Sequence, residues 1–279
     1  MMKTLLRRIG QVARDISTCL VWLILLSSIF TRPREAHAAT VPYFTAKIFD
    51  MKDHSKQMFD YKSESETNGS LKVYTNTITD MAGGVLVIEK TVMSLSGENE
   101  TLVSFEQDQK QISTVGKLEV RDGKVFFHFT KDGKAKSDDE KAGPDFIVTS
   151  TLLKYVQNNW AGIQKGETVK ARLGVLDRME TVGFQFTKES ENGQDVASGV
   201  IVKMKPSSVI IAAMVNPLRF NFSADGKRLF SLEGRTSVKL KVDGKLKDFD
   251  GYTVYSWPTS PEKSPEKSAE KPASSALGH

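Results

Sequence analysis

The sequence predicts a mainly β fold: one large curved antiparallel sheet, a half-barrel or barrel-like surface, with one or two short helices packed on its concave face. Three observations predict it. Asp-Gly-Lys triplets begin at Asp122, Asp132, Asp225 and Asp243, and Asp-Gly supplies the positive backbone angles that tight hairpin turns need. Segments of alternating apolar and polar residues, the period of a half-buried strand, fill much of the remaining chain. The connections between them are mostly too short for crossover helices, so neighbours pair antiparallel. A sheet of about a dozen or more such strands twists strongly and must curl or fold over on itself.

In chain order, residues 1–38 read as an export signal. A basic stretch precedes the apolar run from Cys19 to Phe30, and Ala36-His37-Ala38 supplies a small-x-small cleavage pattern. The apolar run is shorter than the roughly 20 residues that span a hydrocarbon core, which sets cleavage ahead of a retained anchor. A bacterial periplasmic or extracellular address follows. The only cysteine, Cys19, lies in this leader, so disulfides, thiolate metal sites and cysteine nucleophiles are not expected beyond it. The leader holds six basic and two acidic residues, which reduces the formal charge of +5 to +1 for the rest of the chain. That balance argues against a nucleic-acid partner, because affinity for phosphate needs a surplus of Lys and Arg.

Residues 39–258 read as a single β-rich domain. Period-two runs occur at 71–78, 85–93, 102–107, 169–176, 182–188 and 196–204. Leu118 and Val120 lead into Asp122-Gly123, and Val125, Phe127 and Phe129 leave it. Residues 219–223 and 228–232 flank Asp225-Gly226, and Val238, Leu240 and Val242 precede Asp243-Gly244. Asp132-Gly133 is expected to open a polar loop over 131–143. Two interruptions stand out. Val148, Leu152, Val156, Trp160 and Ile163 recur at helical spacing, which predicts a helix over 146–164 with one apolar face. Residues 207–215, bracketed by Pro206 and Pro217, suit a short helix or a strand; apolar on all sides, the segment is expected to be buried. From residue 259 a Ser-Pro-Glu-Lys tail has too little apolar surface to offset its ordering entropy, so 259–279 is expected to be disordered.

Chemistry is sparse. His54 reads as part of a polar loop and His128 as a solvent-facing strand residue. The run Ser137-Asp138-Asp139-Glu140 offers oxygens for calcium, but its lysine neighbours favour a solvated loop. No catalytic residue, metal site or cofactor is assigned, and metal-protease, nucleophile-elbow, phosphate-loop and EF-hand motifs are absent from the sequence. The candidate ligand contacts are Trp160, Arg178 and Arg219. The alternatives are helix packing for Trp160 and an outward or interstrand charge for each arginine. Arg235, Lys239 and Lys241 are the candidate contacts to an anionic surface; Lys239 and Lys241 alternate with Val238, Leu240 and Val242, which places the charges on one face. The alternative is a lysine-protected sheet edge.

The stretches Phe146 through Trp160-Ala-Gly-Ile-Gln-Lys-Gly166, Val169-Lys-Ala-Arg-Leu-Gly-Val-Leu-Asp-Arg178, Lys205-Pro-Ser-Ser208, Val215-Asn-Pro-Leu-Arg-Phe220 and Leu229-Phe-Ser-Leu-Glu-Gly-Arg235 resemble an uncharacterised bacterial secreted β-protein family. That family is similar to the DUF3108-type, lipoprotein-carrier-like half-barrel group. The resemblance covers about residues 146–257. It implies a curved sheet around helices and no established activity. By analogy with carriers that hold acyl chains in a half-barrel, it makes a lipid or other hydrophobic small molecule the expected ligand. Three functional expectations follow. The first is a non-enzymatic binder or carrier of such a ligand. The second is an envelope scaffold that meets another envelope protein or an anionic membrane surface. The third is a hydrolase built on carboxylates.

Overall fold

The computed structural model describes residues 40–97, 99–189, 199–213 and 215–258. The predicted leader and the predicted disordered tail lie outside the described residues. Among these, fifteen strands form one sheet: β1 (Val41–Asp50), β2 (Gln57–Asn68), β3 (Leu71–Asp80), β4 (Val85–Ser96), β5 (Asn99–Gln109), β6 (Thr114–Arg121), β7 (Lys124–Lys131), β8 (Lys134–Lys141), β9 (Phe146–Ile147), β10 (Val169–Val175), β11 (Glu180–Lys188), β12 (Gly199–Pro206), β13 (Leu218–Ser223), β14 (Leu229–Val242) and β15 (Lys245–Ser256). The order is β8-β7-β6-β5-β4-β3-β2-β1-β15-β14-β13-β12-β11-β10-β9. Two meanders thus join where β1 meets β15, and β9 alone runs parallel to its neighbour, β10. The fold is the predicted mainly β, curved antiparallel sheet, with β8 and β9 as its unpaired edges.

The Asp-Gly turns decide much of this. Asp122-Gly123, Asp132-Gly133 and Asp243-Gly244 all have positive φ at both residues, from 49° to 75°, the backbone of a two-residue hairpin turn whose twist matches its strands. Asp132-Gly133 therefore corrects the predicted polar loop. It closes a hairpin between β7 and β8 in which Lys131 pairs with Lys134 and Lys124 with Lys141. β8 buries none of its side chains, so hydrophobic patterning carried no trace of it; turn geometry and backbone pairing hold it, with side-chain bonds from β7 joining Lys124 to Asp139 and His128 to Ser137. Asp225-Gly226 is different. Only Gly226 has positive φ, and Asp225 caps a longer loop by accepting hydrogen bonds from Ser223 Oγ (2.6 Å) and Lys227 N (3.0 Å).

The predicted helix over 146–164 is shorter and broken. Phe146 and Ile147 pair with Arg172 and Leu173, a 3₁₀ turn follows at Thr149–Thr151, and α1 (Leu152–Asn158) and α2 (Trp160–Gln164) come next. The Thr151 hydroxyl accepts from Val148 N at 3.0 Å, ending the strand and starting the turn. Asn159 interrupts the helix by donating its side-chain amide to Tyr155 O. The spacing had still marked the right face, for Val148, Leu152, Val156 and Ile163 are buried. The segment after Pro206 forms α3 (Val209–Ala212). Its expected burial is corrected: Val209 and Ile210 are 84% and 76% exposed, because the turn projects from the β12–β13 connection instead of folding onto the sheet.

Three packing events set the curvature. Beneath α1 and α2, Val156 and Ile163 pack with Phe186, Val202, Phe220 and Phe222. On β14 the pairing moves from Arg235–Asp250 to Lys239–Asp248, so β14 carries two residues more than β15 between those points. This bulge bends the strand inward and buries Val238 among Ile48, Phe59, Ile78, Val87 and Phe249. The flanks meet where Leu118 of β6 packs with Phe105, Phe127, Val148 and Leu176. Gly116 and Gly174 lack side chains at this junction, and a Cβ at either would lie within 3.0 Å of Leu176 or Leu118. Among the described residues the sheet therefore brings its flanks together by packing, with no hydrogen-bonded ladder between its two edges.

Candidate functional site

Strand alternation puts a row of polar residues on the inner face. Ser63 pairs with Asn76, Asn76 with Glu89 and Glu89 with Gln107, so one line crosses β2, β3, β4 and β5. Ser63, Asn76 and Glu89 are buried, as are Thr91 on β4 and Thr253 on β15. A polar group taken out of water must find hydrogen bonds or cost several kcal/mol. Glu89 finds three: Oε1 accepts from Gln107 Nε2 (2.9 Å) and Ser237 Oγ (3.1 Å), and Oε2 from Asn76 Nδ2 (3.2 Å). The β14 bulge supplies Ser237 and is further tied across the interior, its Ser237 and Lys239 carbonyls accepting from Gln109 and Gln111.

Above this row lies a cavity of about 360 Å³. Ile48, Ile78 and Met93 form part of its wall, and Leu152 and Leu153 of α1 cover it; Leu218, Phe220, Leu229 and Leu232 close the other side. The cover is fastened to the sheet by Thr91 Oγ1, which donates to Ser150 Oγ at 2.6 Å, and to the β13–β14 loop by Gln157, which donates to Lys227 O at 2.8 Å.

Aromatic rings line one side. Phe44 meets Tyr61 and Tyr255 edge-on, each at 5.2 Å between centroids, and Tyr43 meets Tyr74 at 5.2 Å and Trp257 at 5.6 Å. Tyr74 donates to Glu100 at 3.2 Å, while Lys72 lies 3.1 Å from the same carboxylate and 4.8 Å above the Tyr74 ring. Burial pushes all four phenols up. Tyr43 reaches about 12, burial leading and the Tyr74 charge adding to it. Tyr61 and Tyr255 rise by burial and by the nearby Glu89 charge, and Tyr74 by burial and then by Glu100. The phenols stay neutral at physiological pH.

The candidate residues read from the sequence fall mostly elsewhere. Trp160 packs on Phe222 at 5.4 Å and over Gly226. Arg178 pairs with Glu180 at the β10–β11 turn, and Arg219 with Glu189 at 2.9 Å. None of the three is part of the cavity wall. Arg235 is part of it, but it pairs with Asp248 and, at 2.6 Å, with Asp250. Lys239 also pairs with Asp248, while Lys241 is exposed. The expected positive face is thus largely matched by acids from β15. His54 stacks on Tyr252 at 4.0 Å, and His128 is exposed and hydrogen-bonded to Ser137. Among the described residues no three His, Asp or Glu are arranged to hold a metal ion.

The residues that matter most at the cavity were overlooked in the sequence, although a signal existed. On β4 the inward positions read Val87, Glu89, Thr91, Met93, which sets a carboxylate in phase with apolar side chains. That pattern marks either a solvated face or a satisfied buried acid, and only the neighbours in space separate the two.

The sequence matches no family model and no curated protein. Among solved structures it is similar to a β-barrel-like protein of a domain of unknown function, DUF1849, from Brucella abortus. The TM-score is 0.40 and the identity 10%, over 79% of this chain and 97% of that one. It is also similar to a porin-like protein from Bacteroides uniformis, with a TM-score of 0.24 and 10% identity, over 79% of this chain and 99% of the other. The resemblance to the DUF3108-type group accordingly rests on the residues quoted for it.

Proposed function

We propose that this chain is a non-enzymatic, exported envelope protein that binds or carries a lipid or similar hydrophobic ligand inside its curved sheet. The cavity of about 360 Å³ carries the reading. Its volume falls within the range of ligand sites, about 300–1,000 Å³, and its walls set aliphatic and aromatic side chains beside a row of buried polar ones. A protein that serves only as a scaffold needs no such space and gains stability by filling it, since each lost packing contact costs free energy. The leader, the envelope address and the carrier-like resemblance agree with a ligand of membrane origin.

The test is direct. Protein purified from its native host under mild conditions should carry a small amphiphile visible by native mass spectrometry. Delipidated protein should then gain thermal stability on readdition, as any ligand that binds only the folded state requires. Failure of a broad panel of lipids and detergents to bind or stabilise would count against the reading.

A further inference from the structure

We infer that the cavity selects an amphiphile whose polar end is a protonated amine, held by Glu89. This deepens the binding reading and rests on it. Three observations point to it: the acceptor count at Glu89, the way the other charges near the cavity are occupied, and the aromatic wall.

An ionised carboxylate offers about four acceptor positions. Oε1 of Glu89 uses two, for Gln107 and Ser237, while Oε2 uses one, for Asn76. Among the described residues no fourth donor reaches Glu89, which leaves one position on Oε2 for a ligand. All three donors are neutral, two amides and a hydroxyl, so they orient the carboxylate without cancelling its charge. Glu89 is only 4% exposed and belongs to the cavity wall, so that charge acts in a poorly screened space.

The cations that border the cavity are committed elsewhere or lie at its rim. Lys72 holds Glu100, Arg235 holds Asp248 and Asp250, and Lys154 is exposed on α1. A carboxylate or phosphate lodged beside Glu89 would face like charge. An ammonium placed there would make a charge-assisted hydrogen bond, with the neutral rings of Tyr61 and Tyr255 on the cavity wall presenting aromatic surface to it. Both phenols feel the Glu89 charge, which places rings and acid in one neighbourhood. The hydrocarbon part would then lie against Ile78, Met93 and Leu153.

The probes are dodecylamine, dodecanol, dodecanoate and N-acetyl dodecylamine, titrated near neutral pH below their aggregation limits and followed by calorimetry. The expected result is amine binding tighter than the alcohol or the acetylated amine by on the order of tenfold or more, the value of a hydrogen bond to a charged group, with dodecanoate weakest. Glu89→Gln should bring the amine to the affinity of the alcohol while alcohol binding persists. The acetylated amine makes the same comparison on unaltered protein, so the outcome does not depend on the variant folding. Equal affinity for all heads, or a preference for dodecanoate, overturns this inference and leaves the binding reading standing. Binding of none of the four overturns the inference; the broader lipid panel then decides the binding reading separately.

Discussion

Leu176, just past the end of β10, occupies the space that a side chain on Gly116 of β6 would need: a Cβ built on Gly116 would lie 2.8 Å from the Leu176 Cβ. The reciprocal arrangement holds two residues away on each strand, where a Cβ built on Gly174 would lie 2.9 Å from Leu118 Cδ2. Glycine serves here by leaving room, since neither residue has positive φ. Two strands near opposite ends of the sheet order interlock in this way, and the curvature that encloses the cavity depends on it.

Overpacking this junction should therefore loosen the fold. Gly116→Val is expected to cost about 1–3 kcal/mol, the usual penalty of an oversized side chain in a packed interior. A domain of this size loses about 2–4 °C of Tm per kcal/mol. Thermal denaturation of Gly116→Val beside the exposed-turn control Gly133→Asn measures it; equal melting temperatures would remove the junction from the argument.

Gly226 provides a second steric test, on different grounds. It has φ of +72°, and a Cβ there would run into the Trp160 ring. Gly226→Ala is expected to destabilise by about 1–3 kcal/mol and to shift tryptophan fluorescence. Ile210→Ser, on the exposed turn of α3, should change stability by no more than about 0.5 kcal/mol.

Blocking the cavity tests the binding site without touching its polar row. Leu153→Trp enlarges a side chain on the cavity-facing side of α1. The expected result is at least a tenfold loss in affinity for a bound amphiphile, with a melting temperature close to that of the parent protein. Retained affinity would place the ligand elsewhere.

Alkaline stability follows from the buried phenols. A tyrosine in the unfolded chain ionises near 10, whereas burial pushes Tyr43 up to about 12 and raises Tyr61, Tyr74 and Tyr255. The folded chain keeps protons that the unfolded chain releases. Their contribution is therefore whole below about pH 10 and is lost as pH rises through the folded values, by about 1.4 kcal/mol per pH unit for each group. Phenolate absorbance should rise in one cooperative step that coincides with loss of the β circular-dichroism signal. Gradual ionisation of all six tyrosines with the sheet intact would contradict it.

The Arg235–Asp248–Lys239 group sets the charge of its face. Hydrogen bonding from Lys239 leads in holding the Asp248 carboxyl below its ordinary value, with Arg235 assisting. Its stabilisation is present above the ordinary carboxylate range and is lost as pH falls through the folded value. Because these side chains are partly exposed, by 30% to 47%, solvent screens the pairing and Asp248→Asn should cost no more than about 1 kcal/mol. It should also strengthen sedimentation with anionic vesicles, because Lys239 loses its partner while Arg235 keeps only Asp250. Unchanged vesicle binding would show that this face does not meet anionic surfaces.

The sequence by itself determined the fold class and much of its detail. The Asp-Gly pairs at 122 and 243 specify their turns through backbone angles available locally, whereas the pair at 132 reads as a loop until β8 is seen paired to β7; the spacing of Val148, Leu152, Val156 and Ile163 marks the helix face that covers the interior. These are short-range effects and leave short-range traces. β8 escaped hydrophobic patterning because an exposed strand needs no apolar side chains. The inward bulge of β14 also left no trace, since it is set by pairing with β15 and by packing against strands far away in sequence. The tertiary structure alone decided the site. Glu89 looks like any strand carboxylate until Asn76, Gln107 and Ser237 converge on it, and Arg178 and Arg219 look available until Glu180 and Glu189 occupy them. Whether a charged side chain is a binding group or a satisfied one depends on which donors, acceptors and empty volume the fold brings within hydrogen-bond reach, and that is a property of distances in space.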